Sequence, residues 1–196
     1  MCCVWGARYI NATGQRRMLG SFHHGSMANA MPMAIGAACA APDKQIIAIC
    51  GDGGLSMLLG DLATIVQYKM PIKLFVFNNR SLGMVKLEME VAGLPDWQTE
   101  MYNPDFAKVA DAMGIKSYSV NDPEKVEVTI KQALVTEGPV LVNFYTDPNA
   151  LALPPKITME QMWGFSKSMM KLAAEGKVSE IMDTVKSNIK HIWEII

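Results

Sequence analysis

The stretch QIIAICGDGG at 45–54 decides the fold. Five of its first six residues are apolar and three of those are β-branched isoleucines, as in a strand covered on both faces; the Gly-Asp-Gly-Gly that follows favours a turn. After Gly54 the spacing becomes helical, with Leu58, Leu62, Ile65 and Val66 on one stripe, so a helix is expected over 55–69. A strand that ends in a small-residue turn and enters a helix is the unit from which parallel sheets are built.

Working outward, three further strands are expected: IKLFVF at 72–77, IKSYSV at 115–120 and VLVNFY at 140–145. Helical spacing fills 104–113, through Phe106, Val109, Ala110 and Met113. It fills 123–136 as well, where Asp122 can cap the start, Pro123 opens the first turn and Gly138-Pro139 closes the element. Strands alternating with helices give an α/β fold: an open, mostly parallel sheet with helices on both faces. Ligands bind such sheets outside the carboxyl ends of the strands, so motifs at those ends carry most weight. After Asp147-Pro148 the character changes. LALPP at 151–155 reads as an extended connector, because consecutive prolines resist helix and central strand alike. Residues 158–175 and 178–196 then read as a helical C-terminal tail. Its last segment places Ile181, Val185, Ile189, Ile192 and Ile196 opposite Glu180, Asp183, Lys186 and Lys190. That amphipathic stripe fits packing on protein, or, with Trp193, contact with a membrane surface.

The 196 residues are 50% hydrophobic and carry a formal net charge of -1, which removes the basic footprint of a general nucleic-acid binder. No apolar run is long enough for a membrane span. The four cysteines, Cys2, Cys3, Cys39 and Cys50, match no zinc spacing; Cys39 and Cys50 sit in apolar runs where buried thiols are common. Residues 1–5 lack the features of a signal peptide, and a cytoplasmic location is expected.

The turn Gly51-Asp52-Gly53-Gly54 could be an ordinary turn, or it could present backbone N–H groups to a phosphate. A dinucleotide fingerprint is opposed by Ser56 in place of the third glycine, by Asp52 itself, and by Asn78-Asn79 where a ribose-binding acid belongs. Asp52 makes sense where a divalent cation lies between it and a diphosphate, with Asn78 or Asn79 supplying a neutral oxygen. The 24 residues at 54–77 accommodate one crossover helix and one strand, which brings two strand ends together. His23 and His24 invite a metal reading, but neighbours on a strand point to opposite sides. Asp61, Lys86, Glu88 and Glu90 read as solvated helix charges.

GDG followed by NN at this spacing resembles the cofactor motif of thiamine diphosphate (TPP) enzymes. The segments RRMLGSFHHGSMANAMPMAIGAA (16–38), GDGGLSMLLGDLATIVQYKMPIKLFVFNN (51–79) and SLGMVKLEME (81–90) look like pyruvate oxidase and quinone-linked pyruvate dehydrogenase. The likeness covers nearly the whole chain, but only the C-terminal, diphosphate-binding third of such an enzyme. It implies a TPP- and magnesium-binding domain at 1–148 lacking its first strand, and a connector and helical tail at 149–196. The pyrimidine-binding and FAD-binding domains are absent. By the same resemblance, Asp52, Asn79 and the Ser81 backbone carbonyl are magnesium ligands, and Gly53 and Gly54 turn N–H groups to the diphosphate. His24, Gly25, Ser26 and Met27 lie along the cofactor rings, with Met27 the apolar prop; its alternative is an ordinary core methionine. Leu82, Gly83, Met84 and Val85 border the substrate pocket.

The implied activity is oxidative decarboxylation of a pyruvate-like 2-keto acid to acetate and carbon dioxide, with electrons passing through FAD in the full-length parent to a quinone or oxygen. The glutamate that activates the cofactor is expected on the missing pyrimidine domain, so no catalytic residue is assigned here and the chain alone is expected to be inactive. The resemblance also implies a homo-oligomer, dimer or tetramer, with peripheral membrane contact through the tail. Alternatives are an acetolactate synthase or another TPP-dependent decarboxylase, a non-catalytic cofactor-binding or association module, and a nucleotide-binding dehydrogenase domain.

Overall fold

The computed structural model describes residues 1–150 and 158–189. Two compact units divide the chain: a sheet unit of Cys2–Arg80 and Tyr102–Thr146, and a helical unit of Ser81–Met101 and Asp147–Ile196 together with Met1.

The sheet unit holds four parallel strands, β1 (Ile47–Gly51), β2 (Lys73–Asn78), β3 (Lys116–Val120) and β4 (Val140–Tyr145), in the order β1-β2-β4-β3. The expected α/β architecture is present, with each strand within two residues of its expected start. Period-two alternation explains why both faces are covered. Leu74 and Val76 of β2 and Leu141 of β4 enter one core with Leu55, Leu62, Ile65 and Phe106. Phe75, Val140, Val142 and Phe144 enter the other with Val120 and Ala133. The helices of this unit are α1 (Cys2–Tyr9), α2 (Ala30–Ala40), α3 (Asp52–Met57), α4 (Leu62–Gln67), α6 (Phe106–Ala112) and α7 (Val126–Val135). Asp105 caps α6, accepting from the Ala107 and Lys108 N–H groups. Asp122 accepts from Glu124 N–H ahead of a short 3-10 turn with Pro123 at its start, which leads into α7.

Two expectations for this unit need correction. The single helix over 55–69 is two: it begins at Asp52, breaks after Met57 and resumes at Leu62 after a 3-10 turn containing Gly60. Leu58, at the break, is exposed, and Leu55 is in the core. Cys39 is exposed on α2, whereas Cys50 is buried and burial pushes its thiol pKa far up. Lys73, within the apolar β2, is buried and donates from Nζ to the carbonyls of Thr136 and Gly138, so the chain end of α7 supplies oxygens for its charge.

The helical unit consists of α5 (Gly83–Val91), α8 (Met159–Ala174) and α9 (Val178–Asn188). Thr158 caps α8 in a reciprocal pair with Gln161. Close packing of α5 and α8 depends on Gly164, where an added Cβ would overlap the Val91 carbonyl oxygen. Lys171 and Ser168 of α8 donate to the Gly93 and Leu94 carbonyls beyond α5. Glu90, expected on a solvated face, is 2% exposed, because α5 turns that face inward. The expected stripe on α9 splits: Ile181 is half-buried, Val185 and Ile189 are exposed, and Thr184 is the buried residue. The connector at 151–155 and the stripe residues Lys190, Ile192, Trp193 and Ile196 lie outside the described residues. No helix among the described residues is long and apolar enough to cross a membrane.

Candidate functional site

β1 and β2 run side by side with Gly51 paired to Phe77, so the residues that follow each strand are neighbours at the carboxyl edge. Asp52 is the first residue of α3, after Gly51 in extended conformation. Its side chain is only 3% exposed. Oδ1 accepts from the Gly53 N–H at 3.0 Å; Oδ2 accepts from the Arg80 N–H at 2.7 Å and from Asn103 Nδ2 at 2.7 Å. Burial pushes the Asp52 carboxyl above the usual carboxylate range, and the three donors, Asn103 foremost, pull against that shift. None of the ion pairs among the described residues includes Asp52.

A line of amides continues from the carboxylate. Asn103 Nδ2 also donates to Asn78 Oδ1 at 2.9 Å, and Asn78 Nδ2 donates to Asn143 Oδ1 at 3.2 Å. Asn78 and Asn143 share one face of the sheet, because β2 and β4 are in register with Val76 beside Asn143. A carboxylate only accepts, so Asn103 must donate, and that polarity orients Asn78 and then Asn143. Asn79 and Ser81 are both buried.

Neither Asn103 nor Asn143 stood out in the sequence as a site residue. Asn143 had a signal: it is the one polar side chain in VLVNFY. Asn103, before Pro104, reads only as the approach to a helix.

The segment 25–27 meets α3 within the same unit. A Cβ on Gly54 would stand 2.5 Å from the Met27 carbonyl oxygen, so glycine is required there by close backbone approach. The Gly53 N–H is engaged by the Asp52 side chain. Gly25 has φ of 61° and its N–H donates to the Ser21 carbonyl. Ser26 accepts from the Ser21 hydroxyl at 3.1 Å. Met27 is 50% exposed, which removes the core-methionine alternative. His23 and His24 lie in a turn rather than a strand, both exposed, with ring centroids 6.0 Å apart.

Ser81 to Val85 belong to the helical unit. Ser81 bridges to Glu100, the Leu82 N–H donates to Thr99 O, and Gly83 is buried at the start of α5. Met84 is half-buried and Val85 is exposed.

Among the described residues, no three His, Cys, Asp or Glu side chains gather as a metal site. A cation at Asp52 therefore has one carboxylate and otherwise amide and carbonyl oxygens available. That donor set is hard and sparse: it suits magnesium, which keeps phosphate and water ligands, and does not suit zinc.

Residues 1–144 match the family model for the thiamine pyrophosphate enzyme C-terminal TPP binding domain, and the chain belongs to that family. Among curated relatives, it is 37% identical over 190 residues to YdaP of Bacillus subtilis, provisionally named a thiamine pyrophosphate-containing protein, covering 97% of this chain and 33% of that one. It is 35% identical over 161 residues to the mitochondrial acetolactate synthase catalytic subunit of Aspergillus candidus, covering 77% of this chain and 22% of that one. Against the acetolactate synthase large subunit of Porphyra purpurea it is 32% identical over 179 residues, covering 84% and 29%. The chain thus spans a third or less of the length of these relatives. Family membership carries thiamine diphosphate as the cofactor. None of these relatives' names mentions pyruvate oxidase, the nearest likeness in the sequence reading.

Proposed function

We propose that this chain is the part of a TPP-dependent 2-keto-acid enzyme that holds the cofactor diphosphate through magnesium, and that the parent reaction is of acetolactate-synthase type. The observation that carries the reading is the buried Asp52 carboxylate at the edge between β1 and β2, with hydrogen bonds but no cationic side chain. Relatives named acetolactate synthase support the reaction type.

The roles are those the family resemblance implies, weighed against the chain's own chemistry. Asp52 supplies the negative charge for magnesium. The resemblance gives Asn79 the role of supplying an amide oxygen; the Asn78 amide is engaged at both ends by Asn103 and Asn143. The Ser81 carbonyl is the third protein ligand. Gly53 and Gly54 keep the α3 start narrow enough for a diphosphate to approach backbone. His24, Gly25, Ser26 and the exposed Met27 border the cofactor rings, and Leu82, Gly83, Met84 and Val85 border the substrate. When bound, thiamine diphosphate supplies the nucleophilic carbon and the electron sink for breaking and making bonds beside a carbonyl. The protein's task is to fix its position and exclude water. The activating carboxylic acid, FAD and the remaining subunits belong to a larger homo-oligomeric assembly in this reading, which places it in the cytoplasm.

Calorimetric titration with TPP, with and without magnesium, tests the proposal. Magnesium-dependent binding that is lost in Asp52→Ala is expected; equal binding without the cation would overturn it. On the parent enzyme, product analysis with pyruvate separates acetolactate, the expected product, from acetate, the product of the pyruvate-oxidase reading. That second reading draws on the motif segments 16–38 and 81–90.

A further inference from the structure

The amide line attached to Asp52 has a consequence for which ion the site accepts. A carboxylate offers about four lone-pair positions. On Asp52 the two of Oδ2 are taken, one by the Arg80 N–H and one by Asn103 Nδ2, both at 2.7 Å. Oδ1 accepts the Gly53 N–H in a longer bond of 3.0 Å. The two oxygens are therefore unequal, and Oδ1 is the one with capacity left.

We infer that Asn103 is a positioning residue that makes Asp52 a one-oxygen ligand and thereby favours magnesium over calcium. The inference rests on the magnesium reading of the site. Magnesium requires near-ideal octahedral geometry and takes each carboxylate through one oxygen; calcium accepts higher coordination numbers and two-oxygen carboxylates. With Oδ2 occupied, Asp52 cannot turn both oxygens to one ion without breaking two short hydrogen bonds to a charged acceptor. Asn103 can hold that arrangement because its second N–H is anchored on Asn78 Oδ1, and Asn78 is anchored on Asn143 inside the sheet. The other end of the Asn103 amide supports the same orientation. Its Oδ1 is buried without a hydrogen-bond partner among the described residues, an acceptor available to a water bound on the cation.

The Arg80 N–H is backbone and persists in any variant at that position. Asn103 is thus the side chain whose removal opens one of the two positions on Oδ2.

The test is the ratio of half-saturating magnesium to half-saturating calcium at fixed, saturating TPP, read by calorimetry on the 196-residue chain. Circular dichroism checks folding of each variant. Asn103→Ala is expected to shift the ratio toward calcium by roughly tenfold, the size of one charge-assisted hydrogen bond. Asn103→Leu, close in shape and without donors, gives the same readout should Asn103→Ala not fold. Equal weakening of both ions, or an unchanged ratio in a folded variant, would overturn the inference while leaving the magnesium site standing. Cation-independent TPP binding by the wild-type chain would overturn both.

Discussion

Two carboxylates, one in each unit, are buried to nearly the same extent and treated in opposite ways. Asp52 in the sheet unit is 3% exposed and receives three hydrogen bonds, one from an amide anchored deep in the sheet. Glu90 in the helical unit is 2% exposed, and its Oε2 has no hydrogen-bond partner among the described residues. Burial pushes both carboxyl groups above the usual range. The difference teaches that burial alone does not mark a site. What marks Asp52 is a network that fixes its orientation while leaving one oxygen with capacity to spare. Glu90 carries the desolvation cost without such a network. The units differ in the same sense at larger scale. The sheet unit buries its strands on both faces, whereas the helical unit leaves Met162, Trp163, Met170, Met182 and Val185 exposed.

The comparison can be broken or sharpened by experiment. Phe106→Ala, at a fully buried position in the sheet unit, should cost about 3–5 kcal/mol in denaturant unfolding. A loss under 1 kcal/mol would mean that this core is looser than its packing shows. Asp52→Ala should weaken magnesium-dependent TPP binding at least about a hundredfold, near 2.7 kcal/mol, with the circular dichroism spectrum unchanged. Gly164→Ala should destabilise the helical unit by roughly 1–3 kcal/mol, because α5 and α8 must separate around the new methyl. Faster limited proteolysis of α8 would report it.

Glu90→Gln should give the smallest change and the clearest sign. The folded state holds the Glu90 proton more tightly than the unfolded chain, through burial first and then Asp96 and Glu180, with Lys86 opposing. Its contribution therefore favours folding below the ordinary carboxylate range, about pH 4.3, and is lost as pH rises through the raised value. Glu90→Gln should flatten that decline and stabilise the chain at neutral pH by about 1 kcal/mol. Thermal midpoints across pH that run parallel in wild type and variant would contradict it.

Much of the sheet was legible because a strand covered on both faces needs a short, mainly apolar run, and 45–50, 72–77 and 140–145 each provide one with a single strongly polar residue, Gln45, Lys73 and Asn143 in turn. Asp52 and the Asn78-Asn79 pair were legible because parallel connection forces the ends of β1 and β2 together. The break after Met57 was not legible, since the apolar spacing of Leu55, Leu58, Leu62 and Ile65 is also that of one continuous helix. Glu90 was misread for a related reason: an isolated helix gives no sign of which face a neighbouring helix will cover.

The sequence by itself determined the α/β alternation, the small-residue turn and the family, all of which depend on residue type and separation along the chain. The tertiary structure decided that Asn103 and Asn143, 51 and 91 residues from Asp52 along the chain, belong to its hydrogen-bonded network. It also decided that Glu90 faces inward and Met27 outward. Hydrogen-bond partnership and burial are properties of distance in space, and only the assembled sheet and packed helices set those distances.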